Sequence, residues 1–207
     1  MYKPRQNKFV YAFFAWYINR IIHSDFKSFN FNKVEFDPDK AILLLSNHFS
    51  WWDGFLMFQL NRLYFKKKFH IIITEDNYKK VWFLKYLGSF SVNKNSKSVV
   101  QTLDFAGKLL HDPQNLLLIF PQGKLFSNHT NSVNFQRGLM SIIAASNNQF
   151  QFILSAAFAD YFEERKPTIT CYLQNLNPDI EMNLKSIQEA YNRHYESSRN
   201  QQTSITV

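Results

Sequence analysis

The sequence predicts a single α/β domain with a mixed, mostly parallel central sheet flanked by helices. Three observations lead to this prediction. Short apolar runs, each about as long as a buried strand, alternate with segments of helical pattern. No internal repeat or linker interrupts the 207 residues, which suffice for one sizeable core. The apolar content of 45% excludes a disordered chain.

The first elements along the chain are an aromatic segment and a connector. Residues 9–22 are apolar and aromatic, have basic residues at both ends, and are too short to span a bilayer. They fit an interfacial helix lying in the headgroup layer, and they equally fit a core helix of the domain. The connector 24–40 contains a possible strand at 34–36, followed by a turn signal.

The rest of the chain alternates between the two element types. Further strands are predicted at 41–45, 69–73, 88–94, 116–120, 152–158 and 168–173. Helices are predicted after Asp53 and at 76–87, 97–111, 137–146 and 182–199. We therefore divide the chain into a membrane-interfacial N-terminal helix (1–23), an α/β domain (24–200) and a frayed tail (201–207).

Composition narrows the choice of partners. The formal net charge of +8 favours nucleic acid, anionic lipid or phosphorylated ligands. The basic residues are scattered and no nucleic-acid motif occurs, so we expect no nucleic-acid partner. The aromatic content of 17% suits either a core or a surface that meets lipid. We predict neither a transmembrane helix nor a cleavable signal peptide.

Cysteine and histidine usage excludes other classes of site. The single cysteine, Cys171, rules out an internal disulfide and agrees with a reducing compartment. It is most simply a small buried apolar residue. No pair of histidines has the spacing of metal ligands on a helix, so we predict no metal site.

The most informative stretch surrounds His48 and Asp53. The apolar strand at 41–45 delivers His48 to its carboxyl end, where open α/β sheets bind ligands. Residues five apart do not share a helix face, so a turn must separate His48 from Asp53 at the start of the next helix. A carboxylate on one imidazole nitrogen would fix the tautomer and leave the other nitrogen to accept a proton from a hydroxyl. Such a pair in isolation is more often structural than catalytic.

Together with other blocks, this stretch resembles the glycerolipid acyltransferases, the group that includes 1-acylglycerol-3-phosphate acyltransferase. Residues 47–53 resemble the N-H-x4-D block, and 88–94 resemble a block of Gly followed six residues later by a basic residue. Residues 120–123 resemble the start of F-P-E-G-T-R, and 135–138 resemble the F-K-x-G that commonly follows it. A weaker block lies at 153–158. The blocks stand in the family's order, over about residues 41–175.

The chain departs from the family pattern at positions where the family holds the acceptor's phosphate. Gln122 stands where the family has Glu, Lys124-Leu125 replace Thr-Arg, and Lys94 replaces the usual Arg. Lysines are point charges without the guanidinium fork, so phosphate binding would be less defined geometrically. These departures raise the hypothesis of an acceptor other than lysophosphatidic acid, such as an amino-acid lipid or another hydroxylated lipid.

The resemblance implies an acyltransferase that moves a fatty acyl group from an acyl thioester to a hydroxyl of a lysophospholipid or related lipid. The donor would be acyl-CoA or an acyl carrier protein, acting as co-substrate with no further cofactor. His48 would be the general base, oriented by Asp53, with no covalent acyl-enzyme. The expected substrate-binding residues are Asn47, Lys94, Gln122, Gly123 and Lys124. Backbone N–H groups around Gly123 are candidate oxyanion donors.

A lipid acceptor implies a place at the membrane. We expect the enzyme on the cytoplasmic face, peripheral or monotopic, against an anionic membrane surface. Two alternatives stay open at this point. A catalytically silent lipid- or anion-binding protein of the same fold is conceivable because of Gln122, although His48 and Asp53 are both present. A thioesterase would use water in place of the hydroxyl acceptor.

Overall fold

The computed structural model describes residues 1–92 and 98–207. Within these residues, seven strands build one sheet. The strands are β1 (Ser28–Phe31), β2 (Ala41–Ser46), β3 (Lys68–Thr74), β4 (Ser89–Val92), β5 (Asn115–Ile119), β6 (Phe150–Asp160) and β7 (Thr168–Asn175). The helices are α1 (Lys8–Asp25), α2 (Asp53–Leu60), α3 (Glu75–Lys80), α4 (Ser98–Leu109), α5 (Gly138–Ala145) and α6 (Leu184–Thr203).

The sheet is mixed and mostly parallel, as predicted. Its strand order is β1-β7-β6-β2-β5-β3-β4. The strands from β6 to β4 in this order run parallel, β7 is antiparallel to β6, and β1 is parallel to β7. The carboxyl ends of β2 and β5 therefore meet at one edge of the sheet, where the His48 and Gly123 loops begin.

Helices cover both faces of the sheet and create two hydrophobic cores. On β2, the side chains of Ile42 and Leu44 pack with α1 and α2, while Leu43 and Leu45 pack with α4, α5 and α6. All four side chains are fully buried. A strand covered on both faces needs a continuous apolar sequence, which explains why Ala41 to Leu45 contains no polar residue.

Helix α1 belongs to the domain and does not project from it. Ala15, Ile18 and Ile22 on one side of α1 are buried in the core that α2 shares. Two polar contacts reinforce this packing: Arg62 Nη1 donates to the Ala15 carbonyl oxygen at 2.8 Å, and Gln59 Nε2 donates to Asn19 Oδ1 at 2.6 Å. Of the described helices, none is long and apolar enough to cross a bilayer.

The residues that precede α1 lie along the edge strand β4. Tyr2 N donates to Ser91 Oγ at 2.7 Å, and Ser91 N donates to the Tyr2 carbonyl oxygen at 3.0 Å. Covering an edge strand in this way satisfies backbone groups that would otherwise invite pairing with another chain. At the start of β4, Gly88 has φ +90°, and a Cβ there would lie 1.7 Å from the Phe69 carbonyl oxygen. Only glycine fits this position.

Two of the predicted elements differ from those in the structure. The strand expected at 34–36 does not form; β1 lies earlier, and Val34 and Phe36 instead pack as side chains against the α1–α2 core. The helix expected at 76–87 is interrupted, because Val81 leaves helical geometry (φ −111°, ψ 77°) and a separate 3₁₀ turn follows at Leu84–Leu87.

The C-terminal helix extends further than predicted. Helix α6 runs to Thr203, into the segment expected to fray from residue 201. The reason is a tertiary contact: Gln202 is buried, its Nε2 donates to Asp160 Oδ2 at 2.7 Å, and its Oε1 accepts from the Tyr172 hydroxyl at 3.0 Å.

Candidate active site

His48 and Asp53 lie together at the carboxyl end of β2, as the spacing predicts. His48 Nδ1 and Asp53 Oδ2 are 2.8 Å apart. A turn separates them, closed by the Asp53 N–H donating to the Ser50 carbonyl oxygen at 3.3 Å, and Asp53 is the first residue of α2. A carboxylate at a helix N-terminus is favoured by the helix dipole. The pair therefore has the orientation that a general-base dyad requires.

The contacts of Asp53 assign the tautomer of His48. Asp53 Oδ2 also accepts the backbone N–H groups of Phe49 at 2.7 Å and Ser50 at 2.8 Å. An oxygen that accepts from two amides acts as an acceptor toward His48 as well, so Nδ1 carries the proton. The neutral ring then has its lone pair on Nε2, for which the described residues provide no hydrogen-bond partner. The His48 side chain is 23% exposed, whereas Asp53 is buried.

Phe120 holds the plane of the His48 ring. The two ring centroids are 4.1 Å apart and the ring planes differ by 9°. Phe120 follows β5 directly, so the sheet brings it beside the end of β2. Phe120 is not among the site residues predicted from the sequence. Its place as the first residue of the F-P-Q-G block was a signal that could have identified it.

Asn47 and Gln122 are buried and contact the backbone. Asn47 Nδ2 donates to the Ala157 carbonyl oxygen, and Asn47 Oδ1 accepts from the Ala157 N–H, both at 2.8 Å. Gln122 Oε1 accepts the His48 N–H at 2.6 Å. These contacts tie the His48 loop to β6 on one side and to the loop after β5 on the other. Direct contact of Asn47 or Gln122 with a substrate stays a prediction.

Gly123 and Lys124 lie on the exposed side of the site. Gly123 has φ +67°, and its N–H donates to the Phe120 carbonyl oxygen at 3.1 Å. A Cβ at this position would lie 3.1 Å from Gln136 Cγ, so glycine suits both the turn and the close approach. Lys124 Nζ lies 5.2 Å from the centroid of the Phe126 ring. Lys94 lies outside the described residues.

An apolar cavity of about 500 Å³ opens beside His48. It extends from the ends of β2 and β5 toward β3 and β4, and Gly123 and Lys124 stand at its His48 end. Strand β3 continues for residues Ile72 to Thr74 beyond its last pair with β5, which leaves room next to the end of β5. The volume lies within the range of small-ligand pockets.

The cavity wall takes residues from both hydrophobic cores. Phe55 and Leu118 come from the α1–α2 side, whereas Leu139 and Ile142 come from the α5 side. An elongated apolar group that entered beside His48 would therefore be surrounded by apolar side chains along its length.

The one cysteine is not a candidate nucleophile. Cys171 is fully buried, and burial, together with the negative charge of Asp53, raises the pKa of its thiol far above the usual range. A thiol in this state does not supply the thiolate that attack requires. Within residues 1–92 and 98–207, no group of three or more His, Cys, Asp or Glu side chains could hold a metal ion.

Comparisons with known proteins support the fold and identify the family. The structure is similar to that of the 1-acyl-sn-glycerophosphate (LPA) acyltransferase PlsC from Thermotoga maritima, with a TM-score of 0.67 and 15% sequence identity over 96% of this chain and 82% of that one. At this identity the likeness establishes the fold. No curated protein gives a significant match. A model of the acyltransferase family matches residues 28–157, which include both members of the dyad and the Gly123 loop. The chain thus belongs to the acyltransferase family, as its glycerolipid acyltransferase motifs indicate.

Proposed function

We propose that the protein transfers a fatty acyl group from an acyl thioester, on coenzyme A or acyl carrier protein, to a hydroxyl of a lysophospholipid or related lipid. The observation that carries this proposal is the His48–Asp53 hydrogen bond at the opening of an apolar cavity. A general base at the opening of an apolar cavity can bring the hydroxyl of the acceptor next to the carbonyl carbon of a bound acyl chain.

The reaction proceeds by direct transfer. His48 Nε2 accepts the proton of the acceptor hydroxyl, and the resulting alkoxide attacks the thioester carbonyl carbon. The tetrahedral intermediate collapses, the C–S bond breaks, and the departing thiolate takes the proton back from the imidazolium. Asp53 accepts the hydrogen bond from the His48 Nδ1–H throughout and, as a carboxylate, stabilises the transient positive charge on the ring. The products are an ester and a free thiol, with no acyl group attached to the enzyme.

The oxyanion of the intermediate needs hydrogen-bond donors. The N–H of Gly123 already donates to Phe120, which makes it a weaker candidate than the sequence indicated. The next N–H along the chain, that of Lys124, has no hydrogen bond with any described residue. It follows the left-handed turn at Gly123, and Lys124 lines the cavity, so we assign this N–H the role of oxyanion donor.

The cavity is the natural site for the acyl chain, and Lys124 for a phosphate. The cavity wall is mostly apolar beyond the His48 end, as a hydrocarbon chain requires. Lys124 is exposed at the same end, where the phosphate of a lipid acceptor or of a phosphorylated acyl carrier would lie. Lys94 is a second predicted phosphate ligand.

An acyl-CoA assay of thiol release, with and without lipid acceptors, tests the proposal. Release that depends on an acceptor indicates a transferase, release without one indicates a thioesterase, and no release indicates a silent binder. The His48→Ala variant should fold normally and lose acceptor-dependent release. A panel of lysophosphatidic acid, amino-acid lipids and other hydroxylated lipids identifies the acceptor. Clear preference for lysophosphatidic acid would contradict the hypothesis of a different acceptor.

A size change within the cavity tests where the acyl chain lies. Leu103 lines the cavity from α4, an element that contributes to neither loop of the site, so Leu103→Trp should reduce the available space. We expect the preferred acyl chain to become shorter, with about a tenfold change in relative kcat/KM between long and short donors. Leu109→Trp, on the same helix but not at the cavity, is the matched control. An unchanged chain preference in Leu103→Trp would place the acyl chain elsewhere.

A further inference from the structure

Helix α6 contacts the main chain around both loops of the active site, although it lies outside residues 28–157, to which the family model matches. Three of its side chains, Gln188, Tyr191 and Asn192, recur at i, i+3 and i+4 and therefore share one side of the helix. Each of them bonds to a backbone group of another part of the chain. Backbone groups in irregular segments need such partners, because no neighbouring strand supplies them.

The hydroxyl of Tyr191 lies where the His48 loop leaves the sheet. It donates to the Ser155 carbonyl oxygen at 2.7 Å, and Ser155 is the register partner of Ser46, the last residue of β2. Burial raises the pKa of the Tyr191 phenol well above its usual range, whereas a hydrogen bond from the Asn47 backbone lowers it. The hydroxyl therefore acts on β6 and on the residue directly before His48.

The ring of Tyr191 contacts the second loop of the site. This Gly123 loop comprises residues 120–137 and connects β5 to α5. Near its end, the ring of Phe135 is buried and lies 5.3 Å from that of Tyr191, measured between ring centroids. Tyr191 itself is completely buried. One side chain of α6 thus contacts the Gly123 loop with its ring and the start of the His48 loop with its hydroxyl.

Two side-chain amides of α6 bind the same part of the Gly123 loop. Asn192 Oδ1 accepts from the Val133 N–H at 2.8 Å, and Asn192 Nδ2 donates to the Val133 carbonyl oxygen at 3.2 Å. Gln188 Oε1 accepts from the Phe135 N–H at 2.7 Å. Helix α6 therefore supplies hydrogen bonds of the kind that a neighbouring strand would otherwise supply.

The end of the Gly123 loop supports its exposed turn. The Gln136 N–H donates to the Pro121 carbonyl oxygen at 2.8 Å. Gln136 also lies against Gly123, where a Cβ would come within 3.1 Å of Gln136 Cγ. The next residue, Lys124, lines the cavity. The segment that α6 holds is thus in contact with the turn that faces the substrate site.

We propose that α6 is a positioning element of the active site: Tyr191 holds the His48 loop and the Gly123 loop at a fixed separation, and Gln188 and Asn192 keep the Gly123 loop in place. The inference rests on the proposed function for its meaning, because a base and an oxyanion donor on different loops must act on one reaction centre. Gln188, Tyr191 and Asn192 do not line the cavity, so they act through the two loops and do not touch the substrates.

The variant Tyr191→Phe removes the hydroxyl and keeps the ring. We expect kcat for acceptor-dependent thiol release to fall about tenfold with an unchanged KM, because a small displacement of a catalytic group is costly in rate. Tyr195→Phe is the matched control: Tyr195 is buried one turn further along α6 and stacks on Tyr191, but its hydroxyl bonds to no residue within 1–92 or 98–207. Equal losses of kcat in the two variants would overturn the proposal.

The variant Gln188→Leu acts on the other loop. It cannot accept the Phe135 N–H, so we expect KM for a phosphorylated substrate to rise about threefold as Lys124 is displaced, with a smaller change in kcat. Gln188→Glu keeps an acceptor oxygen and should restore KM. Gln201→Leu, at an exposed glutamine of the same helix, is the control. An unchanged KM in Gln188→Leu, or an equal rise in Gln188→Glu, would overturn the proposal.

A measurement without substrate separates this inference from the proposed function. In protein labelled with ¹⁵N-histidine, the ring resonances of His48 are those that disappear in His48→Ala. We expect Tyr191→Phe to shift these resonances and Tyr195→Phe to leave them in place, whether or not the wild-type protein releases thiol. Urea denaturation of the same variants measures their stability. Lower stability of Tyr191→Phe with unchanged His48 resonances would make α6 a purely structural helix and overturn the proposal.

Discussion

The two loops that form the site differ in how far their residues are exposed. The loop after β2 is fixed on all sides: Asn47 is bonded twice to β6, the His48 N–H is bonded to Gln122, and Asp53 is bonded to its own loop. In the loop after β5, Gly123, Lys124 and Leu125 are exposed. The protein thus fixes the position of His48, whereas Lys124, which is predicted to bind phosphate, lies at the surface. Reaction chemistry and acceptor choice should accordingly respond to different substitutions.

Asp53→Asn should have the largest effect on activity, because Asp53 belongs to the loop after β2, which holds the base. The amide oxygen can still accept from Phe49 and Ser50, but the charge that stabilises the protonated His48 is lost. We expect kcat to fall by about 10²–10⁴-fold, the usual range for a lost general base, with little change in KM. Steady-state kinetics together with circular dichroism check this. A folded variant with near-normal kcat would refute the role of the dyad.

Asn47→Ala should have the second largest effect, and this effect should be mainly a lower free energy of unfolding. It leaves a buried N–H and a buried carbonyl of Ala157 without partners, so we expect unfolding to become easier by about 2–4 kcal/mol. Urea denaturation measures the change. Asn128→Ala is the control, because Asn128 donates a single 3.3 Å bond to the same strand, at Ala159, and should cost about 1 kcal/mol. Unchanged stability with a raised acceptor KM would show that Asn47 binds substrate.

Gln122→Glu should have a smaller and more specific effect. A carboxylate can still accept the His48 backbone N–H, and it adds a negative charge next to the backbone of the residue whose ring becomes positive during the reaction. A negative charge favours the protonated imidazole, so the acidic limb of the kcat profile should move to higher pH, and activity at low pH should fall. Gln122→Leu, which cannot accept the bond, should lower kcat at every pH. A profile unchanged in both variants would mean that Gln122 does not act through His48.

Lys124→Ala should have the smallest effect, because it lies in the exposed loop. We expect KM for a phosphorylated substrate to rise about two- to tenfold and stability to change by less than about 0.5 kcal/mol. Lys124→Arg should retain most of the affinity, and Lys185→Ala, at an exposed lysine of α6, should have no effect. Equal KM values in Lys124→Ala and the wild type would remove Lys124 from the binding site.

The fixed loop was also the part that the sequence predicted best. An uninterrupted apolar strand, a histidine at its end and an acidic residue before an apolar helix are local features, so the turn and the dyad followed from them. The role of Asn47 could not be predicted in this way. Its partner Ala157 is 110 residues away, and only the pairing of β2 with β6 brings the two together.

The strand predicted at 34–36 is misplaced for the same reason, because distant residues decide where β1 forms. Val34-Glu35-Phe36 has the alternation of a strand, yet β1 forms at Ser28–Phe31, where the chain can pair with β7. Asn32 secures that choice, because its side chain exchanges two hydrogen bonds with the Leu173 backbone, 141 residues away. A four-residue strand at the end of a sheet is selected by its neighbour, which local pattern does not reveal.

Strand β3 continues beyond its last pair with β5, and the cavity next to the end of β5 borders both hydrophobic cores. The side chains of the hydrophobic cores therefore also shape the cavity. Substitution of a leucine or isoleucine in either core, even far from the imidazole, would change the volume that is open to the ligand. Under the proposed function, exchanges of one aliphatic side chain for another in these cores would alter which acyl chains the cavity accepts.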